Sequence, residues 1–259
     1  MESTVVLLST HIYNEFVEAQ IIKLRNELYG YADVCLLCQT DNTVYPNIDN
    51  IEIYEFTHEE LNNLGYKSLT NTIVPGSNHF QLLKYYKDHP WYEYYWNIEY
   101  DVVFSGNWKD FLTSFDDRNE DFISSHIQTI FEGNNWNRWS QMVLENNEIR
   151  LDEYVKSFNP IYRISNRALQ FLDQYLLLGN YGHHELLIPT VLLHYKYTLL
   201  DMGGDGSFSE NSRYKFYTNN FNNDVWYRYS SMRYRPLYSI SDMKIPNMLY
   251  HPIKNPPYS

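Results

Sequence analysis

The sequence is short of the residues that mark several common protein classes. Its 259 residues include two cysteines, Cys35 and Cys38, and no second pair that could complete a structural zinc site with them. Both lie in an apolar run typical of a buried strand, whereas a redox motif would stand at a helix start. We therefore expect reduced core cysteines, which are typical of a cytoplasmic protein.

Long apolar runs are also missing, since none approaches the roughly 18 to 20 residues that a membrane-spanning helix needs. The first run, residues 5–8, follows Glu2 and is too short for a signal peptide. The most apolar stretch, residues 186–200, is interrupted by Pro189 and Lys196. We expect no transmembrane segment, which leaves peripheral membrane association open.

Basic residues are outnumbered, with 20 Lys and Arg against 32 Asp and Glu and a net charge of −12. This balance disfavours nucleic acid as a partner. The distribution is uneven, because residues 211–259 carry seven bases and only two acids. An acidic body with a basic tail indicates either a metal in the body with an anion such as phosphate under the tail, or a tail that simply docks on the body.

Three catalytic motifs are absent: the G-x-S-x-G elbow, the P-loop and G-x-G-x-x-G. A serine hydrolase, a P-loop nucleotide hydrolase and a dinucleotide-dependent dehydrogenase are therefore disfavoured. Aromatic residues, by contrast, make up 17% of the chain, with 26 Tyr among them. We expect most of these rings to pack in the core and a few to stack on sugars in a cleft.

The order of apolar segments predicts an α/β fold. Residues 4–9 and 33–39 are typical of strands buried on both faces, and residues 51–56 alternate as a more peripheral strand does. Asn14 and Ser165 are expected to cap helices. This spacing indicates an open, mostly parallel, Rossmann-like sheet flanked by helices, with ligands at the carboxyl ends of its strands.

Two later regions depart from this pattern. Residues 134–147 are polar and predict a surface helix and loop. Beyond Gly206 the regular pattern fades into an Asn-, Tyr- and Pro-rich segment. We therefore predict a body over residues 1–206 and an irregular C-terminal extension over residues 207–259 that packs over the active site of the same globule.

Three groups of residues could carry chemistry. Glu99 and Asp101 fall on one side of a strand that ends there, which favours a Mg²⁺ or Mn²⁺ site over two solvated acids. Glu185, after two adjacent histidines at a helix start, could serve as a general base, hold a sugar hydroxyl or merely cap the helix. His251 is either a surface residue or, if the tail folds back, an imidazole ligand that suits Mn²⁺.

The order of these segments carries a family resemblance. The first strand is followed by W-x-x-E-x-D at residues 96–101, then by residues 160–169, residues 182–190 and the Y-H-P of residues 250–252. Together they resemble the GT-A class of nucleotide-sugar glycosyltransferases over residues 4 to about 254. The resemblance implies a GT-A-like fold with the E-x-D variant of the acidic metal motif.

The resemblance also implies ligands for a donor and a metal. Asp101 would bind Mn²⁺ or Mg²⁺ directly, Glu99 would bind the donor ribose or a metal-bound water, and His251 would join the metal. Glu185 would match the acid that deprotonates the acceptor hydroxyl in inverting members. Other donor contacts would come from the exits of the first two strands and from the aromatic residue of the motif: Thr10, His11, Thr40, Asp41 and Trp96.

The implied activity is transfer of a sugar from a nucleotide-diphosphate sugar to a glycan or glycolipid acceptor, as in polysaccharide biosynthesis. Tail cations such as Arg235 and Lys254 would stabilise the diphosphate leaving group. Two alternatives remain. One is a nucleotide-sugar or carbohydrate-binding protein of the same fold without turnover. The other is a glycoside hydrolase or phosphoesterase built on Glu99, Asp101 and Glu185.

Overall fold

The computed structural model describes residues 3–133, 135–146, 148–220 and 224–254. Over these residues the chain forms eleven β-strands: β1 Thr4–Thr10, β2 Asp33–Gln39, β3 Glu52–Phe56, β4 Tyr94–Glu99, β5 Val103–Phe104, β6 Phe122–Thr129, β7 Met142–Val143, β8 Val155–Ser165, β9 Tyr181–Gly182, β10 Leu199–Asp201 and β11 Leu249–Tyr250.

The same residues form six α-helices: α1 Glu15–Glu27, α2 His58–Asn62, α3 His79–Asp88, α4 Trp108–Thr113, α5 Asn166–Leu177 and α6 His184–His194. Two short 3₁₀ turns lie at Leu151–Glu153 and Ile240–Asp242. None of the helices formed by the described residues has the length and apolar character that crossing a bilayer requires.

Within the described residues, seven strands form the central sheet in the order β10-β6-β8-β4-β1-β2-β3. β1 pairs in parallel with β2 on one side and with β4 on the other. The strand order therefore reverses between β1 and β4, and such a switch point leaves a crevice at the carboxyl ends of the two strands. The register sets Ser9 opposite Glu99, so both strands end level at this crevice.

One strand runs against the others. β8 pairs antiparallel with β4 and β6, and its ladder with β6 is irregular between Ile123 and Gln128. All eleven residues of β8 are buried, including Lys156 and Asn159. A fully buried strand that carries polar side chains is costly unless those side chains have partners; Asn159 donates to the His184 carbonyl at the start of α6, and Lys156 donates to the Tyr227 hydroxyl.

The two faces of the sheet build two apolar clusters. Because side chains alternate along a strand, Val5 and Leu7 of β1 point into the cluster that packs against α3, α5 and α6. Val6 and Leu8 point into the opposite cluster, against α1 and α4. The predicted α/β architecture, an open and mostly parallel sheet flanked by helices, is thereby confirmed.

The predicted N-caps are present, since Asn14 accepts from the Val17 N–H and Ser165 accepts from the Ala168 N–H. The predicted surface helix over residues 134–147 is wrong. Its described residues, 135–146, form turns and the short strand β7. β7 pairs with β9, so tertiary pairing with a segment just before α6 overrides the local pattern; Asn134 and Asn147 lie outside the described residues.

The described part of the C-terminal extension is irregular but tied to the body. β11 pairs antiparallel with β5, and the Ile253 N–H donates to the Asp101 carbonyl at 2.9 Å. The division at residue 206 stays a prediction, and residues 221–223 and 255–259 of the predicted extension lie outside the described residues.

Asp201 fixes the point where the extension leaves the sheet. It is 4% exposed, and its carboxylate accepts from the N–H groups of Ile127, Gly203 and Gly204 at 2.7, 2.9 and 2.6 Å and from the Tyr217 hydroxyl at 2.7 Å. A Cβ on Gly204 would stand 2.6 Å from that hydroxyl, so only glycine allows this close approach. The carboxylate thereby joins β6, β10 and the extension.

We predict that Asp201→Ala lowers the free energy of unfolding by about 3 kcal/mol, because it leaves buried donors without an acceptor. Urea unfolding followed by circular dichroism measures the change. Asp49→Ala, at an exposed aspartate, is the matched control and should change stability by less than about 0.5 kcal/mol. Equal stability of the two variants would contradict the structural role of Asp201.

Candidate functional site

A cavity of about 370 Å³ opens at the carboxyl end of the sheet. It is lined by the loop before α3, the exit of β4, residues 136–138, residues 158–160 of β8, the start of α6 and the C-terminal extension. The volume falls within the usual range for small-ligand sites. Its lining carries acids, bases and histidines, namely Glu99, Asp101, Glu185, Arg138, Arg235, Lys254, His183, His184 and His251.

The two predicted metal carboxylates lie at the switch point of the sheet. Glu99 is the last residue of β4, and the Tyr100 N–H donates to the Ser9 carbonyl at 3.0 Å, which holds the following turn against β1. Asp101 is 6% exposed. Burial, then the charge of Asp101 and that of Glu185, raise the pKa of Glu99 to about 8, so this end of the cavity favours a cation.

The extension brings His251 to the same place. The pairing of β11 with β5 ends one residue before it, and its N–H donates to the Ser231 carbonyl at 2.9 Å. The imidazole Nε2 lies 3.6 Å from an Asp101 oxygen and 3.9 Å from a Glu99 oxygen. Lys254 follows, with its Nζ 3.9 Å from the other Asp101 oxygen.

Hydrogen bonding defines which nitrogen of His251 faces the carboxylates. Nδ1 lies 2.8 Å from the Arg233 carbonyl, and a carbonyl can only accept, so Nδ1 carries the proton. Burial lowers the pKa of His251 although Asp101 raises it, which favours the neutral ring. Nε2 therefore presents a lone pair to Asp101 and Glu99, an arrangement that repels unless a cation lies between them.

These residues fit a divalent metal. One ligand atom each from Glu99, Asp101 and His251 lies within 4.8 Å of the other two, close to the separation of about 3 to 4 Å that metal–ligand bonds near 2.1 Å impose. Two carboxylates and one imidazole suit Mn²⁺ better than Mg²⁺. The assignment of the three as ligands remains a prediction that the geometry supports.

Glu185 lines the same cavity from the second position of α6, with a side chain 14% exposed. The helix cap is His183, whose Nδ1 accepts from the Glu185 N–H at 3.3 Å, so the Glu185 carboxylate is not needed as a cap. Burial raises the pKa of Glu185 to about 7, although Arg138, Lys156 and the Asn159 N–H lower it. Desolvation thus outweighs the helix terminus, which would favour the anion.

A buried lysine lies behind the cavity wall. Lys156 of β8 is 2% exposed, and its Nζ donates to the Tyr227 hydroxyl at 2.6 Å. Burial lowers the pKa of Lys156 to about 7, although Glu185, Asp201 and Glu132 raise it. Because Tyr227 lines the cavity, this contact ties the extension to the strand beneath Glu185.

The predicted donor contacts of the first two strands lie beside the cavity, outside its described lining. Thr10 is 4% exposed and bonds to Ile12, while His11 packs edge-on against Tyr100, with ring centroids 5.4 Å apart. Thr40 donates to the Phe56 carbonyl at 3.2 Å, and Asp41 accepts from the His58 N–H at 2.9 Å. Their nucleotide contacts stay predictions.

One predicted donor contact, Trp96, lies in the core. It is 2% exposed and packs against Phe111 and Phe115 of the α4 region, with ring centroids 5.3 and 5.6 Å away. It belongs to the opposite face of β4 from Glu99, because strand residues three apart point to opposite sides. It is therefore a core residue outside the described lining of the cavity.

A smaller cavity of about 160 Å³ lies at the carboxyl ends of β2 and β3. Asn78 lines both cavities and donates to Glu99 at 3.4 Å. Sequence reasoning missed Asn78, and it also missed Arg138, Lys156 and Tyr227. Of these four residues, only Lys156 could have been recognised, because it is the one lysine in a described buried strand. Asn78, Arg138 and Tyr227 lie in irregular segments.

Comparisons with known proteins give structural neighbours only. No family model and no protein with a curated description matches the sequence. Similar structures include 4-diphosphocytidyl-2C-methyl-D-erythritol synthase from Anaerococcus prevotii, at 8% identity and a TM-score of 0.46, covering 83% of this chain and 92% of that one.

Two further neighbours are HddC from Yersinia pseudotuberculosis and the galactosyltransferase LgtC in complex with donor and acceptor sugar analogues. HddC is 12% identical with a TM-score of 0.41, covering 78% of this chain and 89% of its own. LgtC is 10% identical with a TM-score of 0.44, covering 77% and 73%. With such identities and TM-scores, none of the three identifies the reaction of this chain.

We predict that the chain binds one Mn²⁺ and that Asp101→Asn weakens this binding at least about tenfold, because a direct ligand is lost. Isothermal titration calorimetry measures both affinities. His251→Gln should weaken binding similarly, whereas Asp49→Asn, at an exposed position, should not. Equal Mn²⁺ affinity in all four proteins would rule out a metal at this place.

Proposed function

We propose that this protein is a metal-assisted glycosyltransferase that moves a sugar from a nucleotide-diphosphate sugar to a glycan or glycolipid hydroxyl, as in polysaccharide biosynthesis. One observation carries the proposal. A set of three converging ligand atoms and a separate carboxylate with a pKa raised to about 7 by burial line one cavity. The three ligand atoms could bind a metal that holds a diphosphate, and the separate carboxylate could act as a base.

The donor would lie at the Asp101 end of the cavity. Glu99, Asp101 and His251 would hold the ion, and Lys254 and Arg235 line the cavity beside them. Bound there, the ion would supply positive charge to the diphosphate oxygens. The smaller cavity that shares Asn78 lies next to this end and is placed to accept part of the nucleoside.

The proposed reaction breaks the bond between the anomeric carbon and the diphosphate oxygen and forms a bond from that carbon to the acceptor oxygen. The nucleoside diphosphate leaves with the bonding electrons. Glu185 takes the proton of the acceptor hydroxyl. A carboxylate with a pKa raised to about 7 by burial is a stronger base than an ordinary glutamate and is still largely ionised just above neutral pH.

The same fold could bind a nucleotide sugar without turnover. A protein that only binds a ligand gains nothing from a buried, uncompensated carboxylate, since burial of such a group costs free energy. Glu185 has no cation within ion-pair distance among the described residues, apart from the contact to His183. Burial lowers the pKa of His183 to about 3, so that contact is not an ion pair. A catalytic role for Glu185 explains the arrangement.

We predict that Glu185→Gln lowers the kcat of sugar transfer at least about 100-fold while the affinity for the nucleoside diphosphate stays within about twofold. A pool of nucleotide sugars, Mn²⁺ and a glycan acceptor library are incubated with the protein, and products are read by mass spectrometry. Glu59→Gln, at an exposed glutamate of α2, is the matched control and should transfer like the wild type.

Two outcomes would contradict the proposal in different ways. Donor binding without consumption of any nucleotide sugar would favour the binding protein. Hydrolysis of simple aryl glycosides or phosphates with no affinity for nucleoside diphosphates would favour the hydrolase.

The pH dependence follows from the same carboxylate. Because burial raises the pKa of Glu185 to about 7, the base is protonated below that pH, and kcat/KM at saturating metal should fall about tenfold per pH unit on the acid side. The profile is measured from pH 5.5 to about 9. A profile that stays flat down to pH 5.5, as the ordinary glutamate pKa of about 4.3 would leave it, would show that Glu185 is not the base.

A further inference from the structure

We propose that the Glu185 end of the cavity is an acceptor subsite for a sugar that carries an oxyanion, a carboxylate or a phosphate, which Arg138 binds. The inference rests on the proposed glycosyl transfer and adds the class of acceptor. It is carried by the position of Arg138, by the absence of a hydrogen-bond or ion-pair partner for its guanidinium among the described residues, and by the aromatic rings that line the same cavity.

The position of Arg138 is set by its loop. The Gln141 N–H donates to the Arg138 carbonyl at 2.9 Å, and the Gln141 carbonyl accepts from the His183 N–H at 2.8 Å. β7 then pairs with β9, directly before α6. This loop is therefore clamped to the start of the helix that carries Glu185, and Arg138 lines the cavity from there.

The guanidinium of Arg138 makes no hydrogen bond or ion pair with any described residue. Other partly buried arginines differ, since Arg118 donates to Glu210 and Arg213 donates to the Ser114 carbonyl. Arg138 still lies close enough to matter electrostatically, because after burial it has the largest influence on the pKa of Glu185. A half-buried guanidinium without a partner is costly, and an anion in the cavity would satisfy it.

The two ends of the cavity hold different cations. Lys254 lies 3.9 Å from Asp101, at the end that would hold the diphosphate. Arg138 stands by His183 and Glu185, where the proton of the acceptor would leave. A planar guanidinium binds a carboxylate or phosphate through two parallel hydrogen bonds. A neutral sugar has no anionic group that could accept such a pair.

Aromatic rings complete the subsite. Trp136, two residues before Arg138, is 7% exposed and lies edge-on to His183, with centroids 6.2 Å apart. Trp226 and Tyr234 line the cavity from the extension, with centroids 5.1 Å apart and each 45% exposed. Exposed rings offer a face for the C–H groups of a sugar, so the cavity offers a platform as well as the Arg138 cation.

The experiment compares matched sugars on wild type, Arg138→Met and the control Arg150→Met, an exposed arginine outside this cavity. The pairs are methyl glucuronide with methyl glucoside, and glucose 6-phosphate with glucose. Dissociation constants are measured by ligand-observed NMR with Mg²⁺ and UDP or GDP present. The affinity for each nucleoside diphosphate is measured in parallel, and urea unfolding checks that each variant is folded.

We expect the wild type and Arg150→Met to bind at least one anionic sugar about tenfold or more tighter than its neutral partner. Arg138→Met should reduce that preference to within about twofold and leave nucleoside diphosphate affinity unchanged. A preference for the glucuronide identifies a carboxylate as the oxyanion, and a preference for glucose 6-phosphate identifies a phosphate.

Two results would overturn the inference: no preference for either anionic sugar in the wild type, or a loss of nucleoside diphosphate affinity in Arg138→Met as large as in Asp101→Asn, which would assign Arg138 to the donor. The proposed function fails separately. A preference for an anionic sugar that depends on Arg138, in a protein that binds no nucleoside diphosphate, would keep the anion subsite and remove the glycosyltransferase.

Discussion

The structure is organised around three carboxylates that share one partly enclosed cavity. Glu99, Asp101 and Glu185 meet there, and like charges at low dielectric repel strongly unless cations or protons compensate. The compensating groups come from residues outside the central sheet. β11 pairs with β5 and delivers His251 and Lys254 to the first two carboxylates. The irregular extension is thus an electrostatic part of the site as well as a cover for it.

Positive charge compensates the carboxylates at the two ends of the cavity unequally. This difference separates metal binding at one end from proton transfer at the other. At one end an imidazole with its free nitrogen toward two carboxylates suits a divalent cation. At the other end no described residue places a charged cation within ion-pair distance of Glu185, and burial raises its pKa to about 7, which keeps a proton exchangeable near neutral pH. Lys156 lies behind the cavity wall, and burial lowers its pKa to about 7. Because the lysine is only partly protonated near neutral pH, the fold contributes little positive charge to Glu185 from that side.

The fold was more predictable than the site. The strand at residues 33–39 was predictable because a short continuous apolar run, buried on both faces, is visible locally in the sequence. The caps Asn14 and Ser165 likewise depend on neighbouring residues. Trp96 was assigned to the donor site because it lies in the same motif as Glu99 and Asp101. Position in a motif does not show which face of the strand is covered by a helix. Arg138 was missed because its loop is placed by the β7–β9 pair, whose two residues per strand leave no detectable pattern.

By itself, the sequence determined the α/β class, strands β1 to β3 and the carboxylate pair at the exit of β4, since each depends on neighbours a few residues apart. Only the tertiary structure decided that His251 stands 3.6 Å from Asp101 and that Glu185 shares their cavity. Those contacts join positions about 150 and 84 residues apart, and contacts of such separation are set by strand order and the return of the extension. The charge asymmetry pointed to a tail that meets an acidic body, and the β11–β5 pair decided where.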